Sequence, residues 1–276
     1  MRSSRRASRP GERRQFDLTL YGKDGTVKIL FVLPYVPSLI RVRPYHFIRE
    51  LARRHEVLVL ASATAQELAD AADLHTFCRR VDVVPIRLAA SLQGCAAALA
   101  RGEPLQAAIC RSQELAQRLH TLLSIEQPDL VHVEHLRAAH LGEHVPQQTP
   151  MMYDAVDCIT LLLERTLRDS HSLRQRVLAA VELRRTRTYE ARLLQRFEQT
   201  VVTSAVDARR LRSLAPTAPV AVVPNGVDLE YFRPTGEPPE PATLVLSGKM
   251  SYHANVTAAL YFVHQIFPRI RAARPD

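Results

Sequence analysis

The sequence predicts an α/β fold: a doubly wound parallel sheet with helices on both faces. Seven short apolar and β-branched runs alternate with helical segments, the pattern that builds parallel strands into one sheet. The first run, Val27 to Leu33 (VKILFVL), is apolar apart from Lys28 and does not alternate, as expected of a strand covered on both faces. A chain of 276 residues with 46% apolar content can bury such a sheet as one large domain, or as one and a half smaller ones.

The elements follow in order. After the first strand the chain turns at Pro34-Tyr35-Val36-Pro37-Ser38. Pro44 suits the first turn of a helix that places Phe47, Ile48, Leu51 and Ala52 at helical spacing through Arg54. Glu56 to Ala61 is the second strand and Gln66 to Phe77 a helix. Val81 to Leu88 is the third strand, where Pro85 marks an edge or irregular position. Residues 89–126 form an Ala/Leu-rich helical region interrupted at Gly102-Glu103-Pro104. Leu130 to Glu134 and Pro150 to Ala155 are the fourth and fifth strands, and a long helical stretch runs from Asp157 to about Phe197. Thr200 to Ser204 is the sixth strand, Asp207 to Leu214 a short helix, and Ala221 to Val223 the seventh strand.

That last strand enters Val220 to Pro234 (VAVVPNGVDLEYFRP). Asn225 and Gly226 tolerate the positive φ of a tight turn. Asp228 is placed to cap one helical turn through Phe232, which Pro234 stops. Residues 235–242 have linker composition. Thr243 to Leu246 then reads as a strand, and Ala254 to Ile270 as a helix with Val256, Leu260, Val263, Ile266 and Ile270 on one side. One strand and one helix cannot cover their own faces, so a second unit is expected to be cut short by Asp276. The expected division is a disordered basic arm at 1–26, a domain at 27–234, a linker at 235–242 and the start of a second domain at 243–276.

Net charge is +9, with 37 basic residues against 28 acidic, which suits anionic company or a general arginine bias. Residues 1–15 carry Arg2, Arg5, Arg6, Arg9, Arg13 and Arg14 without the apolar segment of a secretory signal, so the arm could touch acidic headgroups. No apolar run approaches the roughly 20 residues that cross a bilayer. Cys78, Cys95, Cys110 and Cys158 fall at irregular spacings, as reduced thiols of a cytoplasmic protein would.

Ligands of an open α/β sheet gather beyond the carboxyl ends of its strands. That rule selects Tyr35, Ser38, Arg41 and Arg43 after the first strand, Glu134, His135 and Arg137 after the fourth, and Asp154 and Asp157 after the fifth. It also selects Ser204, then Asn225 and Gly226, and in the second unit Gly248 and Lys249. The loop from Pro34 to Pro44 ends at a helix N-terminus, which with Arg41 and Arg43 favours an anion; two solvated arginines are the plainer reading. His132, His135, His140 and His144 lack metal-ligand spacing, and no metal is expected. Glu134 or His135 could serve as general base or hydrogen-bonding group, or be ordinary strand-end polar residues. The stretch Leu173 to Phe197 combines seven arginines with an imperfect apolar stripe. It reads as a solvated face or an acidic-lipid contact, and its lack of interleaved aromatics argues against nucleic acid. There is no G-x-G-x-x-G, Walker lysine or G-x-S-x-G motif.

Three segments together resemble the nucleotide-sugar-dependent glycosyltransferases of family 4. They are Val201-Val202-Thr203-Ser204, then Pro224-Asn225-Gly226-Val227-Asp228 with Phe232, and last Gly248 with Asn255, Ala258 to Phe262, Phe267 and Pro268. Gly248-x-Met250-x-Tyr252-x-x-Asn255 is similar to the branch that makes bacterial exopolysaccharides. The resemblance implies a GT-B fold of two facing Rossmann-like domains, of which this chain holds the N-terminal, acceptor-side one and the beginning of the other. It implies retaining transfer of a sugar from a nucleoside-diphosphate sugar to a glycan or lipid-linked acceptor, without a metal, in the cytoplasm or peripheral to the inner membrane. Residues 34–43, with Asp154 and Asp157, would line the acceptor side. Ser204, Asn225, Gly226, Gly248, Lys249 and Asn255 would hold the donor, Lys249 steadying the departing diphosphate. The strand-four histidine of the family falls at Glu134 or His135. Asn255 stands where many relatives have lysine, and the glutamate-rich donor motif would lie past Asp276. A non-catalytic remnant that binds acceptor or partner is the first rival reading, and a sugar-nucleotide epimerase the second.

Overall fold

The computed structural model describes residues 25–170, 172–234, 236, 238, 240–248, 250 and 253–274. The expected basic arm lies outside these residues up to position 24. Seven strands form one sheet: β1 Lys28–Leu33, β2 Glu56–Ala63, β3 Arg80–Pro85, β4 Leu130–Glu134, β5 Met151–Val156, β6 Gln199–Val202 and β7 Val220–Val222. Every pairing is parallel, in the order β3-β2-β1-β4-β5-β6-β7. The chain fills one side of β1 and then crosses to the other, so the strand order reverses between β1 and β4. This is the Rossmann-like α/β architecture.

The unbroken apolar run of β1 has a simple cause. Ile29, Phe31 and Leu33 pack on one face with Tyr45 and Ile48 of α1 (Val42–Leu51). Leu30 and Val32 pack on the other, in the core that holds Leu115, Leu119 and Leu122 of α5 (Gln113–Glu126). Both faces are dry, so both sets of alternating side chains are apolar. Between them in the chain lie α2 (Ala71–Leu74), α3 (Leu88–Arg101) and α4 (Leu105–Ala108). After β4 come α6 (His135–Ala138) and a 3-10 segment, Ala139–His144.

Several expected elements have different limits. The helix expected over 66–77 shrinks to α2, where only Ala71 and Leu74 are buried, too little apolar face to hold three turns. The third strand stops at Pro85, on the sheet edge that this proline suggested, and α3 takes over at Leu88. The helical stretch from Asp157 divides into α7 (Ile159–Asp169) and α8 (Leu173–Arg196). Ser170 Oγ accepts from the Ser172 amide (3.1 Å) and Ser172 caps α8 by accepting from the Gln175 amide (3.4 Å), so the serines satisfy the backbone outside a helix. α9 is Ala205–Leu214, starting two residues before the expected Asp207 and capped by Ser204.

The first compact unit runs to Gly226, and Val227–Asp276 forms a second. Asp228 does cap a single turn: its Oδ1 accepts from the amides of Glu230 and Tyr231 (3.1 and 3.0 Å). The strand expected over Thr243 to Leu246 is not formed, and Leu244 and Val245 are exposed. A strand needs a hydrogen-bonded neighbour, and among the described residues none is offered to it. The helix does form, as α10 (His253–Tyr261), a π turn (Phe262–Ile266) and α11 (Phe267–Ala273). Pro268 in the first turn of α11 cannot donate to the ladder, which accounts for the π turn just before it.

Candidate functional site

The site grows from the ends of β1 and β4, where the strand order reverses; in open α/β sheets ligands gather at the carboxyl edge of such a reversal. Glu134 is the last residue of β4 and is buried. Tyr35, just past β1, donates its hydroxyl hydrogen to Glu134 Oε1, while Oε2 is buried and has no partner among the described residues. Burial pushes the Glu134 carboxyl up to about 8, and the Tyr35 hydrogen bond only partly offsets this. Burial and the neighbouring carboxyl drive the Tyr35 phenol far above its ordinary value. Near neutral pH the pair is therefore uncharged. Arg41 lies over the Tyr35 ring at 4.5 Å, and Ser38 turns inward on its own loop to accept from the Ile40 amide (3.3 Å).

A second group adjoins it. Arg43, on the first turn of α1, and Asp154, near the end of β5, are buried and paired at 2.9 Å (Nε to Oδ2). Asp154 Oδ1 accepts from the Val156 amide at 3.0 Å. Arg43 Nη1 donates to the Val223 carbonyl (2.9 Å) and to Asn225 Oδ1 (3.0 Å), and the guanidinium stacks on Phe47 at 4.6 Å. One arginine thus ties the start of α1 to the ends of β5 and β7. Asn225 is held by this contact and not by a left-handed turn: neither Asn225 nor Gly226 has positive φ, which corrects the expectation from sequence.

The left-handed residues lie elsewhere. His135, first residue after β4, has φ +63°, and Val156, at the end of β5, has φ +62°. A β-branched residue there is strained, at a cost of about 1–3 kcal/mol, and such strain persists where the surroundings over-determine it. Here the Val156 amide goes to Asp154, and its carbonyl accepts from the Thr203 amide and hydroxyl (3.1 and 3.0 Å). The turn at His135 swings a half-buried ring off the strand end, and its Nδ1 accepts from the Arg137 amide at 3.2 Å. That bond leaves the ring proton on Nε2, so His135 presents an N–H donor. Burial and the nearby Arg137 lower it to about 4, so the ring is neutral above that pH.

His132 shares the Glu134 face of β4. It stacks on Phe31 (centroids 4.5 Å apart), and burial lowers it to about 4. His140 turns to the Arg137 carbonyl (3.1 Å) and His144 packs edge-on to His120 (5.2 Å), so the histidines scatter. Among the described residues no cluster could hold a metal ion. Asp157 is raised by burial and by Asp207. Ser204 Oγ accepts from the Asp207 amide (3.1 Å) and donates to the Asp207 carboxylate, which in turn accepts from the Cys158 amide (3.1 Å). In the second unit a Cβ on Gly248 would meet Asn255 Nδ2 at 3.0 Å, so that glycine lets the asparagine approach. Lys249 lies outside the described residues.

These placements join Tyr35, Arg41 and Glu134 in one contact set and Arg43, Asp154 and Asn225 in another. Sequence reasoning missed Phe47, although its i+4 spacing from Arg43 is a usable cue, and missed Phe31 and Val156, which carry none.

The raised Glu134 carboxyl and the lowered histidines act oppositely on stability. The unfolded chain loses the Glu134 proton above about pH 4.5, while the folded chain keeps it to about 8, so this group makes stability fall as pH rises across that window. His132, His135 and His140, lowered to about 4, 4 and 3 from 6.5, make stability rise up to about pH 6.5. Above pH 6.5 the histidine contribution fades while the Glu134 limb continues, at about 1.4 kcal/mol per pH unit. Urea unfolding at about pH 6.5 and 8 is expected to show the parent losing about 2 kcal/mol relative to Glu134→Gln between the two values. Equal slopes in both proteins would contradict the protonated carboxyl.

No family model matches the chain, and no curated protein matches it. Among solved structures, sucrose-phosphate synthase from Thermosynechococcus elongatus is similar at 13% identity and a TM-score of 0.53, over 76% of this chain and 50% of that one. HepE of Anabaena, solved with UDP and glucose, is 17% identical over 76% of this chain and 47% of its own, with a TM-score of 0.44. UGT2 of Phytolacca americana, solved with UDP-2fluoro-glucose and pterostilbene, is 16% identical over 72% and 54%, with a TM-score of 0.45. The chain thus spans about half the length of these proteins. What it shares with sucrose-phosphate synthase is the fold: a Rossmann-like parallel α/β sheet.

Proposed function

We propose that this chain forms the acceptor-side part of a retaining, GT-B-type glycosyltransferase of family 4. It would move a hexose from a nucleoside-diphosphate sugar to a glycan or lipid-linked acceptor in polysaccharide synthesis. The observation that carries the reading is the buried Glu134, with one carboxyl oxygen unpartnered, next to the His135 donor at the strand-order reversal. Glu134 held protonated donates to a sugar or acceptor oxygen, and His135 Nε2–H meets charge that develops on a reacting oxygen. The loop with Tyr35, Ser38, Arg41 and the exposed Leu39 and Ile40 offers an acceptor both polar and apolar contacts, which favours a lipid-linked one. Asp154 acts through Arg43, whose bonds to Val223 and Asn225 fix the exit of the sheet, and Asp157 faces the same edge.

On the donor side the reading assigns Ser204, Asn225, Gly226, Gly248, Lys249 and Asn255, with Lys249 neutralising the leaving diphosphate and no metal taking part. The enzyme would work in the cytoplasm, at the periphery of an acidic membrane. No helix among the described residues is long and apolar enough to cross a membrane.

The test is turnover. The purified chain is incubated with UDP- or GDP-hexoses and a membrane lipid fraction, and nucleoside diphosphate release is followed with the mass of the acceptor. A hexose-sized mass gain with the anomeric configuration of the donor, read by proton NMR, is expected. Acceptor-independent hydrolysis alone, inversion, or no turnover would contradict it, and no turnover would favour the remnant reading.

A further inference from the structure

We propose that the projecting start of α8 is a docking surface for an anionic lipid bilayer. Its position follows from the α7–α8 hairpin. α7 leaves the carboxyl edge of β5, beside the site, and Glu190 of α8 accepts from the first α7 amides, Ile159 and Thr160 (both 2.9 Å). Arg187 reaches Glu164 at 2.8 Å, so the two helices run antiparallel. At the α-helical rise, Leu173 stands about 26 Å beyond Glu190, while α7 climbs only about 16 Å. The first turns of α8 therefore rise past the end of α7, outward from the sheet edge that carries Tyr35 and Glu134.

Exposure agrees with that geometry. From Ser172 to Val181 only Ala179 is buried, while Leu173, Leu178, Val177 and Val181 are 74, 59, 55 and 53% exposed. Four large apolar side chains on one free helical tip are more than solubility needs. Charge selects the occupant. Arg174 and Arg176 lie within the tip and no acidic residue does. The acids of the hairpin are engaged elsewhere: Glu182 accepts from the Leu105 amide and Arg185, Glu190 caps α7, Glu164 pairs with Arg187 and Arg210, and Asp169 pairs with Arg168. An apolar tip beside arginines that pair with no acid among the described residues matches the bilayer interface, where leucine and valine enter the acyl boundary and guanidinium groups meet lipid phosphates. Docking there would turn the site edge toward a lipid-linked acceptor. That consequence rests on the transfer reading; the docking itself does not.

The full chain is sedimented with vesicles of phosphatidylcholine alone and of equal parts phosphatidylcholine and phosphatidylglycerol. Binding to the mixed vesicles only is expected, weakening as salt rises. Arg174→Gln/Arg176→Gln should lower the partition about 25-fold, about five-fold per arginine. Leu173→Asp/Val177→Asp should abolish it without moving the thermal midpoint, because these side chains are exposed. Both variants should bind nucleotide sugars as the parent does, which separates failure of docking from failure of the transfer reading. Three outcomes would overturn the proposal. The parent ignores anionic vesicles, or the tip variants bind like the parent while deletion of residues 1–24 removes binding. In the third, the tip variants only dissociate a dimer seen by light scattering.

Discussion

Replacing Asp154 with alanine is expected to cost about 3–5 kcal/mol of folding stability. The residue is fully buried, and its carboxylate is the only acidic partner that Arg43 has among the described residues. Removing it leaves a buried guanidinium without a counter-charge, held only by the neutral acceptors Val223 and Asn225, and takes the acceptor away from the Val156 amide. Desolvation decides the magnitude: an exposed ion pair contributes little, but a buried charge without its partner carries the full penalty. Arg43→Met strands the opposite charge and is expected to cost a similar amount, with loss of the bonds to Val223 and Asn225. Arg43→Met/Asp154→Leu should recover most of the loss, because neither charge then remains. Urea unfolding of the four proteins forms the cycle. Two single losses below about 1 kcal/mol would mean that the pair is solvated and does not tie α1 to the sheet.

The other large effect concerns transfer. Glu134→Ala should lower kcat/KM about 10²–10³-fold, the range for loss of one preorganised hydrogen-bond donor. His135→Ala should lower it about 10²–10³-fold, as does loss of one preorganised donor. The chemical form of Glu134 gives the sharper prediction. Its carboxyl ionises at about 8, so a hydrogen bond that it donates weakens as pH rises through that value. Activity should therefore fall above pH 8, and Glu134→Gln, which keeps a donor, should stay within about ten-fold of the parent and lose that fall. A rate that climbs through pH 8 together with an inactive glutamine variant would assign Glu134 as a base instead.

Much of this was legible in the chain. The continuous apolar run of Val27 to Leu33 announced a strand covered on both faces, and Pro85 announced an edge. The strand-end rule picked out Tyr35, Glu134, Arg43, Asp154 and Asn225 one by one. It did not pair them, because Arg43 and Asp154 are 111 residues apart and only the topology brings them together. The left-handed valine at 156 carries no local cue, since β-branching argues against that conformation; it is imposed by Asp154 and Thr203. The missing strand at 243–246 shows the converse. Its composition is right for a strand, but strand formation needs neighbouring backbone, which local composition does not supply.

The claim that this sheet serves a sugar-transfer enzyme is tested most directly by titration calorimetry of UDP- and GDP-sugars into the purified, folded chain. Submillimolar binding of at least one of them, lost in Lys249→Ala, is the predicted result. A folded chain that takes up none of these sugars would contradict it.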